Sequence, residues 1–459
     1  MTEFIDRLRR QRGDPPAKPT KPAASEGESP EWLRRQLGGA ARSKAASAEQ
    51  AREAQRPSSA LTFGDPTELS SVLTDRGELS YRELRYPDSH EHGAWALREI
   101  DRASRETLEL LARDAACRDL DLRRAVYLDI ETTGLSGGAG TIAFMVALGT
   151  FEEDEFRLWQ GFLRSPAEEA ALMFEVALRV AEADSMVSFF GKSFDRHRLE
   201  DKMKLHGVEP PFDKKPHLDL YWPLQRLYGR QFGDGRLGTM ETRLTGVERC
   251  DDLPGSFAPE AWFDYLGGRG HRLEDVFRHN RDDVLSLVVL AAHAGRATEG
   301  ERSDGLPLSG PAATRAAGLG RLFAANREFA EALVWCDRAL AEGGVPDECG
   351  LRLVRADLLA RVGEEERALR ELTALSDKTA CERVDEEVAA SASVTAAKLL
   401  EHRFRDPERA LAFCERAREL ALTRLTSRAR ARVLHDLDRR EERLRSKSRP
   451  QGAAEPPTS

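Results

Sequence analysis

Apolar residues fall along this chain in two rhythms. Residues 125–130 and 141–149 are short apolar runs, and 156–162 alternates apolar with polar, as buried and half-buried strands do. Residues 168–183 return apolar side chains at helical spacing. A fourth strand follows at 185–190, then a helix at 194–205. Residues 217–227 begin as a strand and turn into a helix, 237–244 reads as a helix, and 273–294 is a long helix with one apolar face. Strands first in meander, then alternating with helices, predict an α/β unit over 125–296: a mixed sheet flanked by helices. Ahead of it lies a lead-in, 61–124, that packs on this unit. Within it 78–87 alternates like a strand of a small antecedent sheet. Residues 94–117, with Trp95, Leu97, Ile100, Leu108, Leu110 and Leu111, read as helix.

From 308 to 446 the rhythm is helical alone, which predicts an all-α domain. Segments 327–333, 364–369 and 406–411 recur, with Ala332, Ala368 and Ala410 spaced by 36 and 42 residues. A tetratricopeptide repeat has about 34, so these are near-repeats with insertions. Ala332 and Ala339, like Ala410 and Ala417, stand seven apart and suit close helix packing. Stacked pairs of this TPR-like kind form a concave surface for a protein partner or a guided substrate. A plain helical cap on the α/β unit is the other reading.

Composition changes this picture at the ends. Residues 1–60 carry twelve Lys and Arg against eight Asp and Glu, with much Ala, Pro and Ser. Such a segment buries too little surface to offset its ordering entropy, so a disordered tail is expected, with one helical patch at 31–37. Residues 447–459 are expected to be a second tail. The formal charge over 459 residues is −9, which argues against coating nucleic acid by bulk charge and leaves a local basic groove open. There is no apolar run of about 18 residues to span a membrane, and the first residues lack the apolar core of a signal peptide. Cys117, Cys250, Cys336, Cys349, Cys381 and Cys414 are scattered without a CxxC pair. Neither a zinc ribbon nor a disulfide framework is expected, and the chain reads as cytoplasmic with reduced thiols.

Candidate chemistry begins at Tyr127-Leu128-Asp129-Ile130-Glu131-Thr132-Thr133-Gly134-Leu135. Two acids two residues apart on a strand share one face. Like charges on a buried strand are costly unless a cation lies between them, and Mg²⁺ or Mn²⁺ suits carboxylate oxygen. At this point the sequence resembles the DEDD superfamily of exonucleases, which have a ribonuclease-H-like fold. The resemblance implies further acids. Asp195 follows an apolar strand and a short turn, Ser188-Phe189-Phe190-Gly191-Lys192-Ser193-Phe194, where members usually carry Asn in place of Phe190. The last acid falls in His279-Asn280-Arg281-Asp282-Asp283-Val284-Leu285-Ser286-Leu287. Asp282 is the rival, but Asp283 shares a helix face with His279, Leu287 and Leu290. His279 here occupies the spacing at which the Tyr-type members place their aromatic. The HNxxDVLSL form is similar to the bacterial YprB-like proteins, which join a ribonuclease-H-like domain to tetratricopeptide repeats. So are residues 131–140, His217-Leu218-Asp219-Leu220 and Asp251-Asp252-Leu253-Pro254-Gly255. The resemblance covers about 62–295, and the helical half more loosely.

The resemblance implies that Asp129, Glu131, Asp195 and Asp283 hold two Mg²⁺ or Mn²⁺ ions and that His279 accepts the proton of an attacking water. A helix-packing or phosphate-contacting role for His279 is the other reading. Thr132, Lys192, Arg196 and Asn280 are candidates for contacting nucleic acid, beside His197 and Arg198. Solvated surface charge is the competing reading for the cations. His217, Asp219 and Arg243 are weaker candidates. The glycine-rich run 134–140 is no P-loop, since no Gly-Lys-Ser/Thr follows; it reads as a lip over the strand or as a tight hairpin. The expected activity is 3′–5′ exonuclease action on single-stranded DNA or RNA, with endonuclease action using the same metals. The alternative is a catalytically inactive fold that binds nucleic acid or scaffolds protein partners.

Overall fold

The computed structural model describes residues 69–134, 140–213, 215–249, 253–299, 312–378, 380 and 384–448, with the backbone of 302–303 and 306–307. The tail expected over 1–60, residues 61–68 of the lead-in, the middle of the glycine-rich run (135–139), Asp251, Asp252 and the chain after 448 lie outside the described residues. Leu61–Ser459 forms one compact unit.

Among the described residues the first nine strands are β1 (Ser70–Thr74), β2 (Gly77–Pro87), β3 (Glu91–His92), β4 (Trp95–Ala96), β5 (Ala125–Thr132), β6 (Ala143–Glu152), β7 (Glu155–Phe162), β8 (Ser185–Ser188) and β9 (His217–Asp219). Seven of them form one mixed sheet in the order β1-β2-β7-β6-β5-β8-β9, and β3 pairs with β4 alone. The strands from β1 to β5 of that order are antiparallel to their neighbours, whereas β8 and β9 run parallel to β5. Residues 78–87 therefore do not form a separate small sheet. Ser80–Pro87 pairs residue for residue with Phe162–Glu155 of β7. An apolar strand such as β7 left at an edge would expose unpaired backbone groups, and β2 covers them.

The first seven helices are α1 (Arg105–Ala112), α2 (Glu169–Glu182), α3 (Asp195–Leu205), α4 (Tyr221–Phe232), α5 (Leu237–Thr245), α6 (Ala258–Leu266) and α7 (Leu273–Gly295). The helix expected over 94–117 is broken into β4, a 3-10 turn at Leu97–Arg102, α1 and a second 3-10 turn. The Ser104 side chain accepts from the Thr107 N–H and starts α1 there, and Arg113 ends it in a left-handed conformation at φ 54°. The sheet separates two cores. Tyr127, Ala147 and Leu158 face α1, α4, α5 and α7, while Val126, Leu128 and Ile130 face α2, α3 and α6. Strand alternation thus sends Asp129 and Glu131, in step with Tyr127, toward α7.

Seven more helices follow: α8 (Ala312–Ala325), α9 (Phe329–Glu342), α10 (Glu348–Arg361), α11 (Glu365–Ser376), α12 (Glu386–Leu399), α13 (Pro407–Arg424) and α14 (Ser427–Ser448). Each packs on the next, and α8 also lies on α4. Ala332, Ala339, Ala368, Ala410 and Ala417 are all wholly buried, as close packing requires. A mixed sheet with helices followed by a helical half is the fold class the apolar rhythms predicted. Among the described residues no helix is long and apolar enough to cross a membrane. The expectation of reduced thiols is corrected at Cys349, which is disulfide-bonded. Spacing tests only cysteines near in sequence, and folding brings distant ones together. Cys117, Cys336 and Cys414 are free and buried.

Candidate active site

Asp129 and Glu131 sit at the carboxyl end of β5, beside the parallel strand β8. Asp195 is the first residue of α3, reached from β8 by a strained turn. Phe190 there holds φ 62°, a left-handed conformation costly for a bulky residue. Asp219, at the end of β9, fixes the turn. Its Oδ1 accepts from the Phe190 N–H at 2.7 Å and the Tyr221 N–H at 3.1 Å, and its Oδ2 from the Lys192 N–H at 3.0 Å. The Phe190 ring packs edge-on against Tyr221. Gly191 has no room for a side chain: a Cβ would stand 2.4 Å from Ser188 Oγ and 3.1 Å from Asp195 Oδ2. Backbone strain thus carries Asp195 toward β5.

From the other side, α7 presents His279 and Asp283, one turn apart. His279 Nε2 lies 3.6 Å from Asp283 Oδ2 and 3.9 Å from Glu131 Oε1. Asn280, a candidate for contacting nucleic acid, is wholly buried. Its amide donates to Asp129 Oδ2 at 2.7 Å and its oxygen accepts from buried Gln160 at 3.0 Å. The five expected residues Asp129, Glu131, Asp195, Asp283 and His279 therefore come together at one end of the sheet.

Their charges are felt. Burial first, then the Asp283 and Asp195 carboxylates, hold Asp129 well above the usual carboxylate range. Burial, then Asp219, Glu131 and Asp283, do the same to Asp195. Such a cluster holds more negative than positive charge, and hard oxygen donors of this kind suit a divalent cation. Among the described residues, no three His, Cys, Asp or Glu side chains stand close enough to hold an ion without adjustment. Asp129 Oδ2 is engaged by Asn280, and Asp283 Oδ1 accepts from Arg249 Nη2 at 2.5 Å.

Arg249 escaped the sequence reading. Its guanidinium also pairs with Glu241 of α5, through Nε to Oε1 and Nη2 to Oε2, both at 2.7 Å, and its Nη1 lies 3.3 Å from His279 Nδ1. Burial would lower its pKa, but Asp283 and Glu241 outweigh that and raise it. Glu241 in turn accepts from Ser286 Oγ, which bonds His92 Nε2 at 2.8 Å. Arg249 lies outside any periodic element, so no sequence pattern marked it.

The remaining candidates are placed as follows. Thr132 is buried, its hydroxyl donating to Gly134 O at 3.2 Å. Lys192 Nζ pairs with Asp114 at 3.0 Å. Arg196 holds Glu200 at 2.5 Å and Asp213 at 3.1 Å, and Arg198 lies over the Phe194 ring. His197 and Arg243 are exposed. His217 bonds Ser188 Oγ at 2.7 Å, and burial pushes its pKa down to about 3, so it is neutral. Asp282 pairs with Arg281 rather than joining the cluster.

The fold and this cluster agree with what comparison finds. The family model of the RNase_H superfamily matches residues 126–294, from the start of β5 to the end of α7. That span is similar to the ribonuclease-H superfamily, and the likeness suggests nucleic-acid hydrolysis in general terms. Similarity extends beyond that span. The uncharacterized protein YprB of Bacillus subtilis (strain 168) is 27% identical over 343 residues, which cover 73% of this chain and 79% of that protein. The likeness therefore reaches into the helical half.

Proposed function

We propose that this chain is a metal-dependent nuclease that shortens single-stranded DNA or RNA from the 3′ end. The observation that carries the reading is the convergence of four acids from β5, α3 and α7, close enough to raise Asp129 and Asp195. Two Mg²⁺ or Mn²⁺ ions held by Asp129, Glu131, Asp195 and Asp283 would supply an activated water and charge stabilisation for the departing 3′ oxygen. Asn280 orients Asp129, Asp219 sets the turn that delivers Asp195, and His279 stands between Glu131 and Asp283. Lys192 and Arg196 border the turn and bind phosphates in this reading, exchanging Asp114, Glu200 and Asp213 for the strand. The stacked helices are the TPR-like surface for a protein partner, a reading supported by the buried alanines seven apart on α9 and α13.

One observation favours a second reading, a fold that binds strands without cutting them: Arg249 occupies an oxygen of Asp283. A single experiment separates the two. End-labelled single-stranded DNA and RNA are incubated with Mn²⁺, with EDTA and an Asp129→Ala/Asp283→Ala protein as controls. The expected result is a ladder receding from the 3′ end that EDTA and the double variant abolish. Retention of both strands without any cleavage sinks the nuclease and leaves the binding fold.

A further inference from the structure

Arginine has five N–H donors and no acceptor. A neutral imidazole has one nitrogen of each kind. With a neutral ring, the contact between Arg249 Nη1 and His279 Nδ1 at 3.3 Å makes Nδ1 the acceptor. The ring proton then sits on Nε2, the nitrogen that faces Glu131 and Asp283. In this arrangement His279 offers the cluster an N–H, and accepting a proton from water at Nε2 is closed to it. The same guanidinium bonds Asp283 through Oδ1 and leaves Oδ2 on the His279 side. Its own place is set from behind by a hydrogen bond and a close ion-pair contact to Glu241, whose side chain is almost wholly buried.

We propose that Arg249 is a positioning residue of this centre. One planar fork turns Asp283 so that Oδ2 faces the cluster and holds His279 as the Nε2–H tautomer, a hydrogen-bond donor toward a phosphate oxygen. The proposal deepens the nuclease reading and rests on it for the identity of the phosphate. A fork is needed because two acceptors at different angles are held at once; an ammonium is a point charge and meets only one of them well. Positioning and plain charge predict opposite signs for metal binding. If Arg249 only neutralised Asp283, its loss would leave the cluster more negative and tighten Mn²⁺. If it positions Asp283, its loss weakens Mn²⁺ by about 10- to 100-fold, as removing the supporting partner of a metal ligand does.

The test has two readouts, neither of them cleavage. First, imidazole ¹⁵N spectra of the metal-free, ¹⁵N-histidine-labelled protein are recorded near neutral pH, with His279 assigned by its disappearance in His279→Gln. A bonded Nδ1 acceptor with a protonated Nε2 is expected in the wild type, and a mixture of tautomers in Arg249→Met. Second, Mn²⁺ binding is measured by calorimetry for wild type, Arg249→Met, Arg249→Lys and Glu241→Gln. Weaker binding in all three variants is expected, with Lys failing to restore it. An Nδ1–H tautomer in the wild type overturns the proposal, as does Mn²⁺ binding to Arg249→Met as tight as to wild type or tighter, or full recovery in Arg249→Lys. The wild-type spectrum needs only the His279→Gln protein for its assignment, and no Arg249 or Glu241 variant has to fold for it. If the wild type binds Mn²⁺ but cuts no strand, the nuclease reading fails alone, and these readouts still judge Arg249. If it binds no Mn²⁺, the tautomer decides.

Discussion

Asp219 works through backbone groups, and that makes its contribution measurable. Three N–H groups, two of them buried, converge on one carboxylate, and with them the left-handed Phe190 and the close approach at Gly191. A buried donor left unpaired costs about 1–3 kcal/mol. Asp219→Ala is expected to lose about 3–5 kcal/mol of unfolding free energy in urea, and Asp219→Asn distinctly less. Asn keeps one acceptor oxygen for Phe190 and Tyr221 and forfeits the bond to Lys192. Equal losses in the two variants would show that the three bonds do not hold the turn. The comparison also marks what was legible in single residues. Asp129 and Glu131 could be read because strand alternation fixes which way side chains point. Asp195 and Asp283 came from the resemblance, which implies further acids, and helix-face spacing then separated Asp283 from Asp282. Arg249, Gln160 and Glu241 act across long sequence separations, where periodicity is silent.

At the scale of elements, the rhythm of apolar residues found β5, β6, β7, α2, α3 and α7 to within a few residues. It failed where one residue's backbone decided the matter. The strand expected to reach Phe190 stops at Ser188 because Phe190 turns left-handed. The helix expected over 94–117 breaks because Ser104 caps a new one, a signal present in the sequence. The partner of 78–87 was hidden, since alternation shows that a strand has two faces and says nothing of which edge it joins. Close packing between elements is a further quantity that pattern cannot supply. In α8, a Cβ on Gly318 would stand 2.8 Å from Leu227 Cα and 2.9 Å from Arg226 O of α4, both backbone atoms. Gly to Ala in a helix ordinarily gains about 1 kcal/mol. Gly318→Ala should instead lose about 1–3 kcal/mol, because two backbones are forced apart. Gly238 in α5, with nothing nearer than Glu241 Oε1 at 3.9 Å, is the control where Ala should leave stability unchanged or raised. Calorimetric melting of both variants checks the contrast. A Gly318→Ala protein as stable as the control would mean that α8 does not seat on α4 this closely.

For the whole molecule, the junction between the sheet unit and the helical half contains a buried histidine, and that sets a pH dependence. His293 of α7 is wholly buried, bonded through Nε2 to Tyr228 OH at 3.0 Å and set edge-on to Trp95. Burial first, then Arg315 of α8 and Arg296, push its pKa from 6.5 down to about 3. The folded state therefore favours the neutral ring. Above the unfolded value of 6.5 both states are neutral and this stability is fully present. Below it the unfolded chain takes up a proton that the folded one refuses, and stability falls until about pH 3. Each pH unit in that window costs about 1.4 kcal/mol per such group. His217, also pushed down to about 3 by burial, adds a second proton of the same sign. Between pH 6.5 and about 4.5 His293 and His217 together should remove about 5 kcal/mol, and His92, pushed down to about 4 chiefly by burial, adds to the loss with the same sign. His293→Phe removes one of these protons. It should be less stable than wild type at neutral pH, because Tyr228 loses its partner, yet lose about 2–3 kcal/mol less on acidification. Urea unfolding at the two pH values measures both terms. Parallel losses in wild type and variant would mean that His293 is charged in the folded protein, and that an anion or water reaches the junction where the helical half meets the sheet unit.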